Sequence, residues 1–142
     1  MAARIISGNI SGQTKDVSED GFTPQDGIWK EEIETKTYSV STSDANKIKA
    51  FEDICYICSA NNINLYVVIS PLFEIVENTS STLLYMEQTC RDLNIPLLNF
   101  INDTSYFNNE YFLDAVHLNS QGADLFSKDL SHRILTINPD MF

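Results

Sequence analysis

Ile48, Phe51, Ile54, Cys55 and Cys58 recur at three- and four-residue steps, which sets one apolar stripe along a helix over about 43–61. Thr42 or Ser43 is placed to cap it, Asp44 adds negative charge in its first turn, and Asn61-Asn62 is a stop because Asn tolerates the left-handed conformation. The pattern then changes. Leu65 to Ile69 is continuously apolar and largely β-branched, which predicts a strand covered on both faces, and Pro71 ends it. A second helix is expected over about 79–93, capped by Ser80 or Ser81, with Leu83, Met86, Cys90 and Leu93 inward and Asn94 closing it. Pro96 to Phe100 reads as another short buried strand. The last helix begins at Asn119 or Ser120 and runs to about 135, with Ala123, Phe126, Leu130 and Ile134 on one face and Asn138-Pro139-Asp140 as its stop.

Helix, strand, helix, strand in that order predicts an α/β fold whose two strands are parallel and joined by a right-handed crossover. Two strands are few for a sheet with helices on both faces. Either weak N-terminal segments supply more strands or the body is part of a larger fold. Residues 1–35 read as an irregular arm, punctuated by Ser7-Gly8-Asn9, Ser11-Gly12, Asp20-Gly21, Pro24 and Asp26-Gly27. Phe22, Ile28 and Trp29 are its candidate anchors, and Asp20-Gly21 suits a tight turn. Residues 36–41 alternate weakly enough for a short edge strand, and 36–137 make up the body. An open sheet edge in such a body would favour a homodimer, since unpaired strand edges seek partners.

Charge narrows the partners. The 142 residues carry a formal net charge of −11, against a nucleic-acid or anionic-membrane surface, which needs clustered Lys and Arg. No apolar run approaches the roughly 20 residues of a membrane span. Neither feature distinguishes a cytoplasmic from an exported protein. The three cysteines, Cys55, Cys58 and Cys90, have no scaffold spacing. Cys55-Tyr56-Ile57-Cys58 falls late in the first helix rather than at a helix N-terminus, where the dipole would activate a thiol, so core packing is its expected role. His132, late in the last helix, is expected on the surface.

The candidate chemistry lies in Phe112-Leu113-Asp114-Ala115-Val116-His117-Leu118-Asn119-Ser120-Gln121-Gly122-Ala123. It follows the second strand, at the carboxyl edge where open α/β sheets bind ligands. Residues three apart in a tight turn point to one side, so Asp114 can hold His117 Nδ1–H and leave Nε2 to take a proton from a hydroxyl. A surface Asp–His contact is the plain alternative. A metal site using Asp114, His117 and Asp103 or Glu110 is another, though its donor set is unspecific. No cofactor is implied.

The longer string Tyr111 to Phe126, with its Asp-x-x-His, Leu-Asn and Gly-Ala, resembles the last block of the SGNH/GDSL hydrolase superfamily. The likeness extends from about 44 to 135 through the strand ending in Ser70-Pro71 and the Asn94-Ile95-Pro96 segment. It implies a three-layer α/β/α, flavodoxin-like domain with a parallel sheet, incomplete on its N-terminal side. It implies ester hydrolysis or acyl transfer on O-acyl or O-acetyl esters of carbohydrate or lipid, with His117 as general base and Asp114 as its orienting partner. The family's Gly-Asp-Ser nucleophile block is not evident. The nearest string, Gly8-Asn9-Ile10-Ser11, carries an extra residue, and Pro71 beside Ser70 cannot donate an oxyanion-hole N–H. The chain alone is therefore expected to be inactive. The alternative is a non-catalytic binding or assembly module of the same fold.

Overall fold

The computed structural model describes residues 24–37 and 44–139. The segments around Ser7–Ser11, Asp20-Gly21 and Phe22, the cap candidates Thr42 and Ser43, and residues 38–41 of the weak strand lie outside them. The described elements are β1 (Glu34–Thr37), α1 (Ala45–Ala60), β2 (Val67–Ile69), β3 (Glu74–Asn78), α2 (Ser81–Asp92), β4 (Leu97–Asn99) and α3 (Ser120–Ile137). Two short 3-10 turns, Thr104–Tyr106 and Asn109–Tyr111, lie between β4 and α3.

Each helix is started by a capping side chain of its own neighbourhood. Asp44 is the N-cap of α1, accepting from the amides of Asn46 and Lys47, so it does more than add charge to the first turn. Ser80 caps α2 through Leu83 N, and Asn119 caps α3 through Gly122 N. The first two helices end in the same way. Asn62 and Asn94 have φ of 54° and 53°, and the residues after them, Ile63 and Ile95, donate back to Cys58 O and Cys90 O, both at 2.8 Å. This six-to-one bond is the Schellman arrangement, and it turns each helix directly into a strand.

The strands form two separate parallel pairs, β2 with β4 and β1 with β3. Val67, Val68 and Ile69 align with Leu97, Leu98 and Asn99. β3, which the hydrophobic pattern does not predict, pairs with β1, which begins at Glu34, two residues before the expected weak strand of 36–41, and overlaps it at Lys36 and Thr37. Its five residues, Glu-Ile-Val-Glu-Asn, show little apolar run, and their placement depends on a partner 40 residues earlier, Glu34 opposite Glu74.

β4 separates two apolar clusters. Leu97 packs toward Phe51, Cys55 and Cys90 of α1 and α2, together with Val67, Leu65, Met86 and Ile95. Leu98 and Phe100 face Phe126, Leu130 and Ile134 of α3, with Phe73, Tyr106 and Phe112 completing that side. Alternate residues of one strand thus meet helices on opposite faces. The expected double coverage of the first strand does not hold, because Val68 is 37% exposed. The α3 side chains gather on Leu98 of β4 and on Phe100 just after it, and leave β2 partly bare. Among the described residues no strand pairs with β2 on the side away from β4. In the N-terminal arm, Trp29 packs against the α3-side cluster, whereas Ile28, another of the three expected anchors, is exposed.

The aromatic core is tied to α3 by charge as well. Arg133 lies over the Phe100 ring at 4.2 Å, donates to Asp129 and reaches Asp103 Oδ2 at 2.7 Å. Tyr106 donates to the same Asp129 at 3.0 Å, and burial pushes its hydroxyl well above the ordinary tyrosine range. The free thiols Cys55 and Cys90 are buried, as core packing requires, and burial raises both.

Truncation of the fully buried Phe100 to Ala is expected to cost about 3–5 kcal/mol. The half-exposed Ile54→Ala is expected to cost no more than about 0.5 kcal/mol. Urea unfolding monitored by far-UV circular dichroism separates the two, and equal costs would contradict this assignment of core and surface.

Candidate active site

The stretch leading to His117 is a closed loop rather than a helical turn. Phe112 and Leu118 form an isolated antiparallel bridge, and Leu113 N donates to His117 O at 2.8 Å. Inside this loop Asp114 Oδ1 accepts from the amides of Val116 and His117, both at 2.9 Å. The same carboxylate faces the imidazole, with Nδ1 at 3.0 Å from Oδ1 and 2.8 Å from Oδ2. The acceptor-only carboxylate selects the tautomer with the proton on Nδ1, which leaves Nε2 as a base. The Val116 amide foremost, then the His117 ring, hold the Asp114 carboxyl below the usual carboxylate range. The pair is open to solvent, with side-chain exposures of 44% for Asp114 and 71% for His117.

Three neighbouring segments fix the loop. Phe73 N, just beyond β2, donates to Ala115 O at 2.9 Å. Trp29 N donates to Phe112 O at 2.8 Å. The third restraint is the buried Asn119, whose Nδ2 donates to Gly27 O and Glu110 O, both at 2.6 Å, while its Oδ1 caps Gly122 N at 3.0 Å. Beside it Ser120 donates its hydroxyl to Gln25 O at 3.0 Å. A side chain at Gly122 would run into the carbonyl of Tyr111, so the Gly of the Gly-Ala pair is a steric requirement of the loop's seat on α3.

Asp114 and His117 therefore come together as the spacing predicts, and the other candidates do not join them. Ser11 lies outside the described residues. Ser70 is exposed after β2, beside the buried Pro71. Among the described residues no hydroxyl is hydrogen-bonded to the His117 ring. Asp103 is engaged by Arg133 and Ser105, and Glu110 offers its backbone carbonyl to Asn119. Among the described residues no group of three His, Cys, Asp or Glu side chains is disposed to hold a metal ion, so the Asp114–His117–Asp103 or Glu110 arrangement is not formed. His132 is exposed on α3, as expected.

Asn102 is a residue the sequence pattern passes over. With φ at 62°, it extends its carboxamide to Val76, accepting from the amide and donating to the carbonyl, both at 2.8 Å. This pairing joins the loop after β4 to β3. A lone Asn in a polar loop gives little sign of such a contact, although the left-handed backbone suits Asn.

The chain matches no protein-family model, no curated protein and no solved structure.

Removal of the Asn119 side chain leaves two carbonyls and an amide without their partner and deletes a helix cap. Asn119→Ala is expected to lower stability by about 2 kcal/mol or more, read from denaturant unfolding. Gly122→Ala is expected to cost about 1–3 kcal/mol through overpacking, and a neutral result would place Tyr111 elsewhere. Because the folded Asp114 carboxyl is lowered, its contacts stabilise the fold above the carboxyl's unfolded pKa and lose that contribution as pH falls through the folded value. An NMR acid titration should find the Asp114 carboxyl titrating below the usual carboxylate range; a midpoint within that range would contradict the loop geometry.

Proposed function

We propose that Asp114 and His117 are the orienting and proton-transfer half of a serine ester-hydrolase or acyl-transferase site of the SGNH/GDSL type. Its substrates would be O-acyl or O-acetyl esters of carbohydrate or lipid. The observation that carries this reading is the carboxylate–Nδ1 pairing at 2.8 Å, in a loop that follows a parallel strand and opens directly into a capped helix. In such a site His117 Nε2 would accept the proton of a serine hydroxyl as it attacks the ester carbonyl, then return it to the leaving alcohol. Asp114 would hold the ring and stabilise the imidazolium without itself taking the proton.

The finer fold proposed is the three-layer, flavodoxin-like arrangement. It is supported by the division of apolar side chains across β4, with α1 and α2 on one face and α3 on the other. The outer edge of β2, unpaired among the described residues, is where further parallel strands, or a second copy in a homodimer, would add. The high exposure of His117 and the lack, among the described residues, of a hydroxyl on its ring are the observations behind the second reading, a binding or assembly module that keeps the site's geometry without its chemistry.

Nitrogen-15 NMR of the His117 ring tests the orienting role. The neutral ring should carry its proton on Nδ1, and Asp114→Asn should shift the population toward the other tautomer. An unchanged tautomer ratio would overturn the assignment of Asp114. A fluorophosphonate probe tests the nucleophile. No serine labelling is expected from this chain alone. Labelling abolished by both Ser11→Ala and His117→Ala would instead make the chain a complete hydrolase.

A further inference from the structure

A concavity of about 470 Å³ lies at the opposite end of the β2–β4 pair from His117. Its floor is the segments entering the two strands, Leu65-Tyr66 and Ile95-Pro96, and its walls are the last turns of α1 and α3. This volume falls in the range of roughly 300–1,000 Å³ typical of small-molecule sites. None of the thirteen residues lining it is charged, in a chain whose charged fraction is 20% and whose net charge is −11. At the rim, Ile63 and Leu93 are each 54% exposed and Ile137 is 47% exposed, so substantial apolar surface faces water there.

Polar groups in the concavity are neutral as well. Asn138 donates to the Tyr66 hydroxyl at a long 3.4 Å. The carboxamides of Asn64 and Asn94, both on the lining, have no hydrogen-bond partner among the described residues. Each carboxamide offers both a donor and an acceptor. The double Schellman turn explains why these groups converge. It swings both chains through a left-handed Asn and brings Ile63-Asn64 and Ile95-Pro96 side by side under α3.

We propose that this concavity is a binding site for a neutral small molecule with an apolar body and a carbonyl, amide or hydroxyl group. Charge decides the class. An anion would approach a strongly acidic chain and find no cation in the site. A cation would leave water and find no carboxylate there. A neutral molecule loses neither, covers the rim of Ile63, Leu93 and Ile137, and places its polar group against Asn64 or Asn94. The site is independent of the Asp114–His117 reading, because no residue is shared between them.

Nile red, a neutral apolar dye with a carbonyl, serves as the probe in a fluorescence titration of the full chain. Saturable one-to-one binding is expected, weakened at least tenfold by either Ile63→Glu or Leu93→Glu. Both positions are exposed, so the fold should survive, and thermal melting checks this. Ile28→Glu adds the same charge to an exposed residue outside the site and should leave binding unchanged. The anionic dye ANS should bind at least tenfold more weakly than Nile red. Absence of saturable binding, equal binding of ANS, or binding indifferent to the rim substitutions would overturn the proposal. Sedimentation velocity supplies the remaining outcome. A concentration-dependent dimer dissolved by the same substitutions, with no saturable dye binding, would assign this surface to a second copy and overturn the small-molecule site.

Discussion

The carboxamide of Asn119 has one acceptor and two donor hydrogens, and each finds a backbone partner from a different segment. One partner belongs to the arm before β1, one to the loop after β4, and one to the first turn of α3. A buried amide with unmet bonds would be costly, so the side chain specifies where all three segments meet. The Asp114–His117 loop hangs from that junction. Its closing bridge, Phe112 with Leu118, lies immediately before Asn119, and its far side is tied back to the body through Phe73. The pair itself is exposed and supplies little of the fold's stability. Its geometry is inherited from the buried amide beneath it.

The same division of labour recurs around β4. The Arg133 guanidinium, with Asp129, Asp103 and the Phe100 face, locks the aromatic loop onto α3. Asn102 locks the start of that loop onto β3. Irregular backbone between residues 100 and 119 is therefore held by side-chain bonds to the regular elements around it, as a loop that positions reactive groups on a rigid scaffold must be. The short carboxylate–imidazole distance can persist in water because the Asp114 carboxylate already accepts from its own backbone.

How much of this was legible in the sequence depends on the range of the interaction concerned. The three helices, β2, β4 and the parallel order follow from apolar spacing and local caps, and Asn62 and Asn94 act as the left-handed stops their residue type suggests. Asp114 and His117 are also local, three positions apart, so their meeting could be read from spacing. β3 could not. Glu74 to Asn78 has no strong period of its own and is a strand because Glu34 to Thr37 lies beside it. The Asn119–Gly27 bond spans 92 positions and Asn102–Val76 spans 26, and no periodicity carries such information. The overestimated burial of Val68 has the same origin. A run of apolar residues states a preference for cover, while the reach of α3 determines which strand receives it.

Leu97 and Leu98 are adjacent in the chain yet belong to different apolar clusters. A slip of β4 by one residue would exchange them, presenting each cluster with the side chain shaped for the other. The three residues of this strand therefore act as a shared hinge pin for the body. Neither the α1–α2 side nor the α3 side can loosen without disturbing the strand on which its counterpart is built. Local opening of the two faces is thereby merged into one cooperative event, and the loop bearing His117, seated on α3, draws its constancy from both faces of the strand.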